Sequence, residues 1–149
     1  MANTGLFPVF TNKFKIGAKG RASADGDMVP IPELETFSVS IDGNTVEWSP
    51  MEAEGWLNRM VTGKALTISF SGKRSFGDPG SDYVADCAWK TGQDCDSRFE
   101  WELPSGARLA FDCVVNVTNP GGGESRDVCG LEFEVLSHGR PEFTPAAGV

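Results

Sequence analysis

A mainly β fold, an antiparallel β-sandwich or partly open barrel with one flanking α-helix, is what this chain predicts. Three observations carry the expectation. Apolar residues alternate with polar ones at Phe37/Val39/Ile41, Leu66/Ile68/Phe70, Phe99/Trp101/Leu103, Leu109/Phe111/Cys113/Val115/Val117 and Leu131/Phe133/Val135. That period of two puts one set on a buried face and the other on the opposite face. Turn residues separate the runs, as in Pro104-Ser105-Gly106. Only one stretch, Ser49 to Gly63, carries a strong helical period.

The elements follow in chain order. Residues 1–30 are weakly patterned but hold Phe7, Val9, Phe10, Phe14 and Ile16, too apolar for an idle tail. An arm lying on the domain or on a neighbouring subunit suits that composition. Asp25-Gly26-Asp27 reads as a turn; as a calcium loop it lacks the downstream Glu. The strand Glu35–Asp42 ends in a tight turn at Asp42-Gly43-Asn44, and Val46 and Trp48 begin the return strand. Ser49 can then cap a helix with Pro50 at its first position and Glu52 closing a capping box. Ala53, Trp56, Leu57 and Met60 form its apolar stripe, and Gly63 ends it. A strand over Lys64–Lys73 follows, then a short helix from Ser81 to Trp89. Trp48, Trp56 and Trp89 read as core and helix-packing residues. The hairpin Ser97–Thr118 is the clearest element. Residues 119–125 form a flexible Gly-rich connection, Leu131–Val135 a last strand, and 144–149 a frayed end. All 149 residues fit one domain.

Composition narrows the function. A formal net charge of -8 disfavours a protein that grips nucleic acid, because phosphate affinity comes largely from Lys and Arg. It leaves room for one past which nucleic acid slides. No apolar run approaches the roughly 20 residues of a membrane helix, and Met1-Ala2-Asn3-Thr4 lacks a signal peptide's pattern, so a soluble product is expected. Cys87, Cys95, Cys113 and Cys129 have no C-x-x-C spacing, which disfavours zinc, and Cys113 reads as a small buried hydrophobe. No metal or cofactor is expected. His138, the only histidine, follows a strand, so nucleophilic catalysis lacks an assembled base. The expectation is a protein without enzymatic activity.

The candidate functional residues are carboxylates. Glu100, Glu102, Asp112, Glu132 and Glu134 all lie opposite the apolar positions of their strands. For any one of them a solvated sheet face suffices. Together they are less ordinary, since like charges on adjacent strands weaken pairing and Arg98 and Arg108 relieve only part of it. A face kept acidic at such a cost suits avoidance of another polyanion. A glycosidase pair would need a cleft and sugar platforms, and Trp101 points away from Glu100 and Glu102.

Several stretches together resemble bacteriophage tail tube (major tail) proteins, within the broader tail-tube and secretion-tube superfamily. They are Leu34-Glu35-Thr36-Phe37; Trp48-Ser49-Pro50-Met51 leading to Glu54-Gly55-Trp56; Thr62 to Arg74; Gly77 to Val84; Asn116 to Gly123; and Gly130 to Val135. The resemblance runs from about Pro30 to Thr144. It implies a tail-tube-like subunit that closes into hexameric rings, whose sheets merge into a continuous inner barrel and whose rings stack into a tube. DNA would pass through the lumen without specific binding. The implied partners are further copies of the chain and tail terminator, tape measure and tail-tip proteins; the implied location is a virion tail assembled in the host bacterial cytoplasm. The five carboxylates are then expected to face the lumen. Phe7, Val9 and Phe10 of the arm, with Pro120, Gly121, Gly122 and Gly123 of the loop, are expected between subunits. The tube of a phage-tail-like bacteriocin or secretion system fits the same resemblance. Outside it stand a carbohydrate-binding β-sandwich module and a capsid decoration protein.

Overall fold

Residues 4–146 are described by the computed structural model of this chain. They form strands β1 (Lys13–Gly17), β2 (Met28–Pro30), β3 (Leu34–Trp48), β4 (Asn58–Lys73), β5 (Asp96–Glu102), β6 (Arg108–Asn119), β7 (Gly130–Ser137) and β8 (Glu142–Thr144). One α-helix, α1 (Pro79–Asp86), lies between β4 and β5. All strands belong to one antiparallel sheet in the order β2-β1-β5-β6-β7-β4-β3, with β8 continuing beside β6 past the end of β7.

The alternating runs fold as their period dictates. In the β5–β6 pair Phe99 opposes Phe111 and Trp101 opposes Leu109. In β4 and β7, Ile68 opposes Val135 and Phe70 opposes Phe133. These residues form a single core with Ile16, Leu131, Cys113 and Val115. The sheet curls far enough that its two ends nearly meet. Phe14 of β1 lies 4.8 Å, ring to ring, from both Phe37 of β3 and Phe70 of β4. No ladder joins β2 to β3 among the described residues, so the barrel is partly open. The connector between them bridges the seam: Ile31 N donates to Phe14 O, and Lys73 N donates to Glu33 O at 2.9 Å. It crosses so close to Gly72 that a Cβ there would meet the Glu33 carbonyl, so only glycine fits.

The flanking helix exists, but not where the strongest helical period stands. Ser49 to Gly63 is not a helix. It holds a single 3-10 turn at Met51–Ala53, and β4 has already begun at Asn58. The expected turn at Asp42-Gly43-Asn44 is absent as well; β3 runs straight through it, with Asp42 opposite Ala65 and Trp48 opposite Asn58. Two short strands thus merge into one ribbon, because the backbone ladder with β4 continues and nothing requires a reversal. Trp48, Trp56 and Trp89, expected in the core, are exposed. The true flanking helix is α1. Asp78 caps it, accepting from Gly80 N and Ser81 N, and Pro79 takes the first position. Ser81, where the helix was expected to start, lies within its first turn, buried and bonded to Arg74 Nη1 at 3.0 Å. Val84 and Ala85 carry the helix into the core against β2 and β6.

The stretch expected as an arm contributes β1 and β2, with Ile16 fully buried. At the other end β8 pairs with Arg108–Ala110, and Ala146 is buried; residues 147–149 of the expected frayed end lie outside the described residues.

Cys113, Cys87 and Cys95 are buried free thiols, and Cys129 is exposed. Burial pushes the Cys113 thiol up to about 12; burial, reinforced by Cys95, pushes Cys87 up to about 11. An unfolded thiol ionises near pH 8.5 while these stay protonated, so their share of stability is intact below about pH 8.5 and is lost as pH rises toward the folded values. At pH 7.5 a thiol reagent is expected to label only Cys129 rapidly, and melts from pH 7 to pH 10.5 are expected to show falling stability. Phe99→Ala is expected to cost about 3–5 kcal/mol in urea unfolding, because Phe99 touches rings on both β4 and β6.

Candidate functional site

The register settles the geometry of the acidic face. Glu100, Glu102, Asp112, Glu132 and Glu134 all project from the side of the sheet opposite the core. They fall into two groups. On β5 and β6, cations interleave: Lys15 opposes Glu100, Lys13 opposes Glu102, and Arg98 opposes Asp112. Arg108 Nη2 reaches Glu100 at 2.8 Å, and Arg98 Nε lies 3.9 Å from Asp112. On β7 the neighbours are uncharged. Glu134 opposes Asn116 and Ser69, accepting from Asn116 Nδ2 at 2.8 Å. Glu132 opposes Ser71 and accepts from Asn119 Nδ2 at 3.3 Å. Thr36, Ser38, Ser69, Ser71 and Thr118 surround this second pair with hydroxyls, forming a shallow groove of about 250 Å³. Neither Glu132, which is exposed, nor Glu134, which is half-buried, makes an ion pair among the described residues. The alternation in the sequence puts the five on one face but does not show that Lys13 and Lys15 stand opposite the β5 carboxylates, because their segment carries no clear strand pattern.

The other candidate residues sit at the periphery. Phe7, Val9 and Phe10 are exposed, the last two beside a slot of about 440 Å³ between β1 and the outer edge of β3. Asn12 ties this segment down, its Oδ1 accepting from Trp101 Nε1 at 2.9 Å. Pro120, Gly121, Gly122 and Gly123 follow β6. Asn119 shapes that loop, its Oδ1 accepting from Gly121 N and Gly122 N at 3.1 and 2.6 Å. His138 is exposed in the connection between β7 and β8, its backbone N–H donating to Asp112 O at 2.8 Å.

A surface that the sequence did not announce is the distal half of the β3–β4 hairpin. From Val39 to Lys64 almost every residue is exposed, and many are large and apolar. Ile41 is 62% exposed, Met51 96% and Trp56 79%. A slip between Asn44 and Thr45 in the pairing inverts the phase on β4. As a result Val46 and Met60 share one face, whereas Ile41 and Val61 take the other. Both faces of the ribbon are therefore apolar. One signal could have exposed the misreading: Gly55 lies mid-way in the supposed helix, and here it takes φ +95° in the turn. Apolar area left bare on a lone chain marks an interaction surface. Trp56→Ser with Met51→Ser is expected to leave the monomer's melting temperature within about 2 °C of the parent, because neither side chain enters the core, while reducing self-association in sedimentation velocity.

No protein-family profile matches the sequence, and no curated protein is similar to it. Solved structures are. One is a chain from the "tail of empty GTA particle computed with helical refinement, C6 symmetry", superposed with a TM-score of 0.76 at 15% identity over 94% of this chain and 100% of that one. Another comes from the "virion of native gene transfer agent (GTA) particle", with a TM-score of 0.69, 18% identity and the same coverage. In fold this chain is thus similar, over nearly its whole length, to subunits of gene transfer agent particles, and so agrees with the phage-tail resemblance of its sequence.

Proposed function

We propose that this chain is the structural subunit of a phage-like tail tube. Copies join in hexameric rings, rings stack into a hollow tube, and DNA passes through the lumen during ejection. The observation that carries the reading is the hairpin: a long ribbon with apolar residues on both faces is stable only when other surfaces cover it. The likeness to a helical, C6-symmetric tail supports further copies of the chain as those surfaces. The free outer edge of β3 also suits a neighbour's strand, which would continue the sheet and remove an edge that otherwise invites uncontrolled pairing.

Within this reading the face opposite the core lines the bore. Glu132 and Glu134 dominate it, since no cation offsets them, while Glu100, Glu102 and Asp112 add a partly neutralised band. Around Glu132 and Glu134 hydroxyls and carboxylates offer phosphates no cation to bind, and on β5 and β6 the cations stand opposite carboxylates, so DNA slides rather than sticks. Phe7, Val9 and Phe10 and the loop Pro120–Gly123 would lie between subunits, with terminator, tape measure and tip proteins capping the tube. The location is a virion tail, built in the host cytoplasm. A bacteriocin or secretion tube would use the same surfaces without DNA. The exposed Trp48 and Trp56 are what a carbohydrate-binding module would offer instead; a monomer that persists at high concentration and binds glycans would favour that reading.

Electron micrographs of the purified chain at rising concentration test assembly: rings or tubes are expected. In particles, Glu132→Lys with Glu134→Lys is expected to leave tubes intact and reduce DNA delivery by on the order of tenfold, more severely at low salt. Glu102→Lys, next to Lys13 and Arg108, is expected to do less. Normal delivery from particles bearing the β7 pair of changes would remove those residues from the bore.

A further inference from the structure

The hairpin leaves a hole where it departs from the sheet. β4 pairs with β7 only from Thr67 to Lys73, so its earlier residues part from the β7–β8 edge and open the end of the barrel. The mouth measures about 630 Å³ and is lined by the core-side residues Val39, Ile41, Leu66, Trp101 and Leu109. Two cations, Lys64 and Arg140, stand at its rim, both exposed. Neither has a carboxylate partner among the ion pairs of the described residues.

The hairpin tip has the complementary character. Met51 and Trp56 project from it, and Glu52 and Glu54 flank them, all four exposed. The tip has a built shape. Ala53 N donates to Pro50 O, Glu54 N to Met51 O, and Trp56 N to Ala53 O at 3.0 Å, while Ser49 Oγ donates to Trp56 O at 3.1 Å. Glu54 takes a left-handed conformation at φ +51°, an uncommon one for a residue with a side chain. A turn that is ordered, strained and yet presents its tryptophan to water is organised for a partner.

We propose that the tip of one copy docks into the barrel mouth of another, Trp56 and Met51 entering the apolar cavity while Glu52 and Glu54 meet Lys64 and Arg140. A chain cannot do this to itself. Six residues of extended strand lie between Ile41 and Trp48, which are about 23 Å apart, and the ladder continues to the tip through the single bulge at Asn44/Thr45. The cavity is of the size that accepts a large aromatic group with a neighbour. The exposed N-terminal segment, with Leu6, Val9 and Phe10, is apolar too, but it carries no acid to match the rim. Because tip and mouth are different surfaces, the contact is head-to-tail and propagates from copy to copy, closing a ring or extending a filament. This inference rests on the self-assembly part of the proposed function and names its contact.

The test mixes two full-length chains, one Glu54→Cys and one Arg140→Cys, each also carrying Cys129→Ser, with a short bis-maleimide under assembling conditions. A covalent heterodimer of the two is expected, with little Glu54→Cys homodimer. In parallel, Lys64→Glu with Arg140→Glu is expected to raise the concentration at which tubes appear by about tenfold or more, and adding Glu52→Lys with Glu54→Lys in the same chain to restore it. Circular dichroism checks that each variant folds. Tubes from the parent chain, with no tip–mouth cross-link and no effect of charge reversal, overturn this contact and leave the tail-tube reading standing; so does an Arg140→Cys cross-link to a Phe10→Cys chain where the Glu54→Cys chain gives none. A parent chain that stays monomeric at every concentration overturns both.

Discussion

The backbone ladder between β3 and β4 is the constraint on which the molecule turns. It begins inside the barrel, where Phe37 and Phe70 pack with Phe14, and runs on without interruption of the strands to Trp48 and Asn58, far beyond any core. The same two strands therefore live in two environments. Near Leu34 and Gly72 each residue has an inside and an outside. Past Gly43 there is no inside left, and the bulge at Asn44/Thr45 turns apolar side chains to both faces. Hydrogen bonding holds the ribbon together there, but cross-strand bonds alone leave a two-stranded hairpin marginal in water. Burial by other surfaces is the term that is missing from the lone chain.

The rest of the fold anchors that ribbon. Arg74, its side chain almost entirely buried at the end of β4, bonds Ser75 O, Ser81 Oγ and Asp82 Oδ1 and carries Phe76 stacked over its guanidinium. This cluster fixes the start of α1 against the strand that becomes the hairpin. At the other strand, the connector over Gly72 holds β3 in place across the seam. A partly open barrel bridged in this way is tied together at one end and open at the other, and the opening is the apolar mouth beneath the hairpin. A rigid base and a projecting ribbon form the division of labour expected of a subunit that completes itself through its neighbours, which is how we read this chain.

Charge follows the same logic of placement. The net charge of -8 is not spread evenly over the sheet's outer face. β5 and β6 interleave their acids with Lys13, Lys15, Arg98 and Arg108, so the cross-strand repulsion that the sequence suggested is largely relieved there. β7 keeps Glu132 and Glu134 among hydroxyls and amides, where repulsion is tempered by distance and hydrogen bonds rather than by cations. An uncompensated pair on one strand is cheap for a monomer. Repeated around a ring, it would give a band of potential without any single costly contact.

Period and turn chemistry were enough to identify the core. Phe99, Phe111, Ile68, Phe70, Phe133 and Cys113 are buried as their alternation requires, because a strand with one wet face can satisfy its pattern in only one register. The shared face of the five carboxylates followed from the same parity. The hairpin did not. Ala53, Trp56, Leu57 and Met60 carry a helical spacing, yet a spacing records only which residues seek burial, not whether the partner is a sheet of the same chain or another molecule. β1, β2 and the cation pairs on β5 were likewise decided by tertiary structure, since short strands gain their stability from the sheet they join rather than from their own sequence. Local pattern determined what each strand would hide; only the assembled sheet decided where the chain ran out of places to hide it.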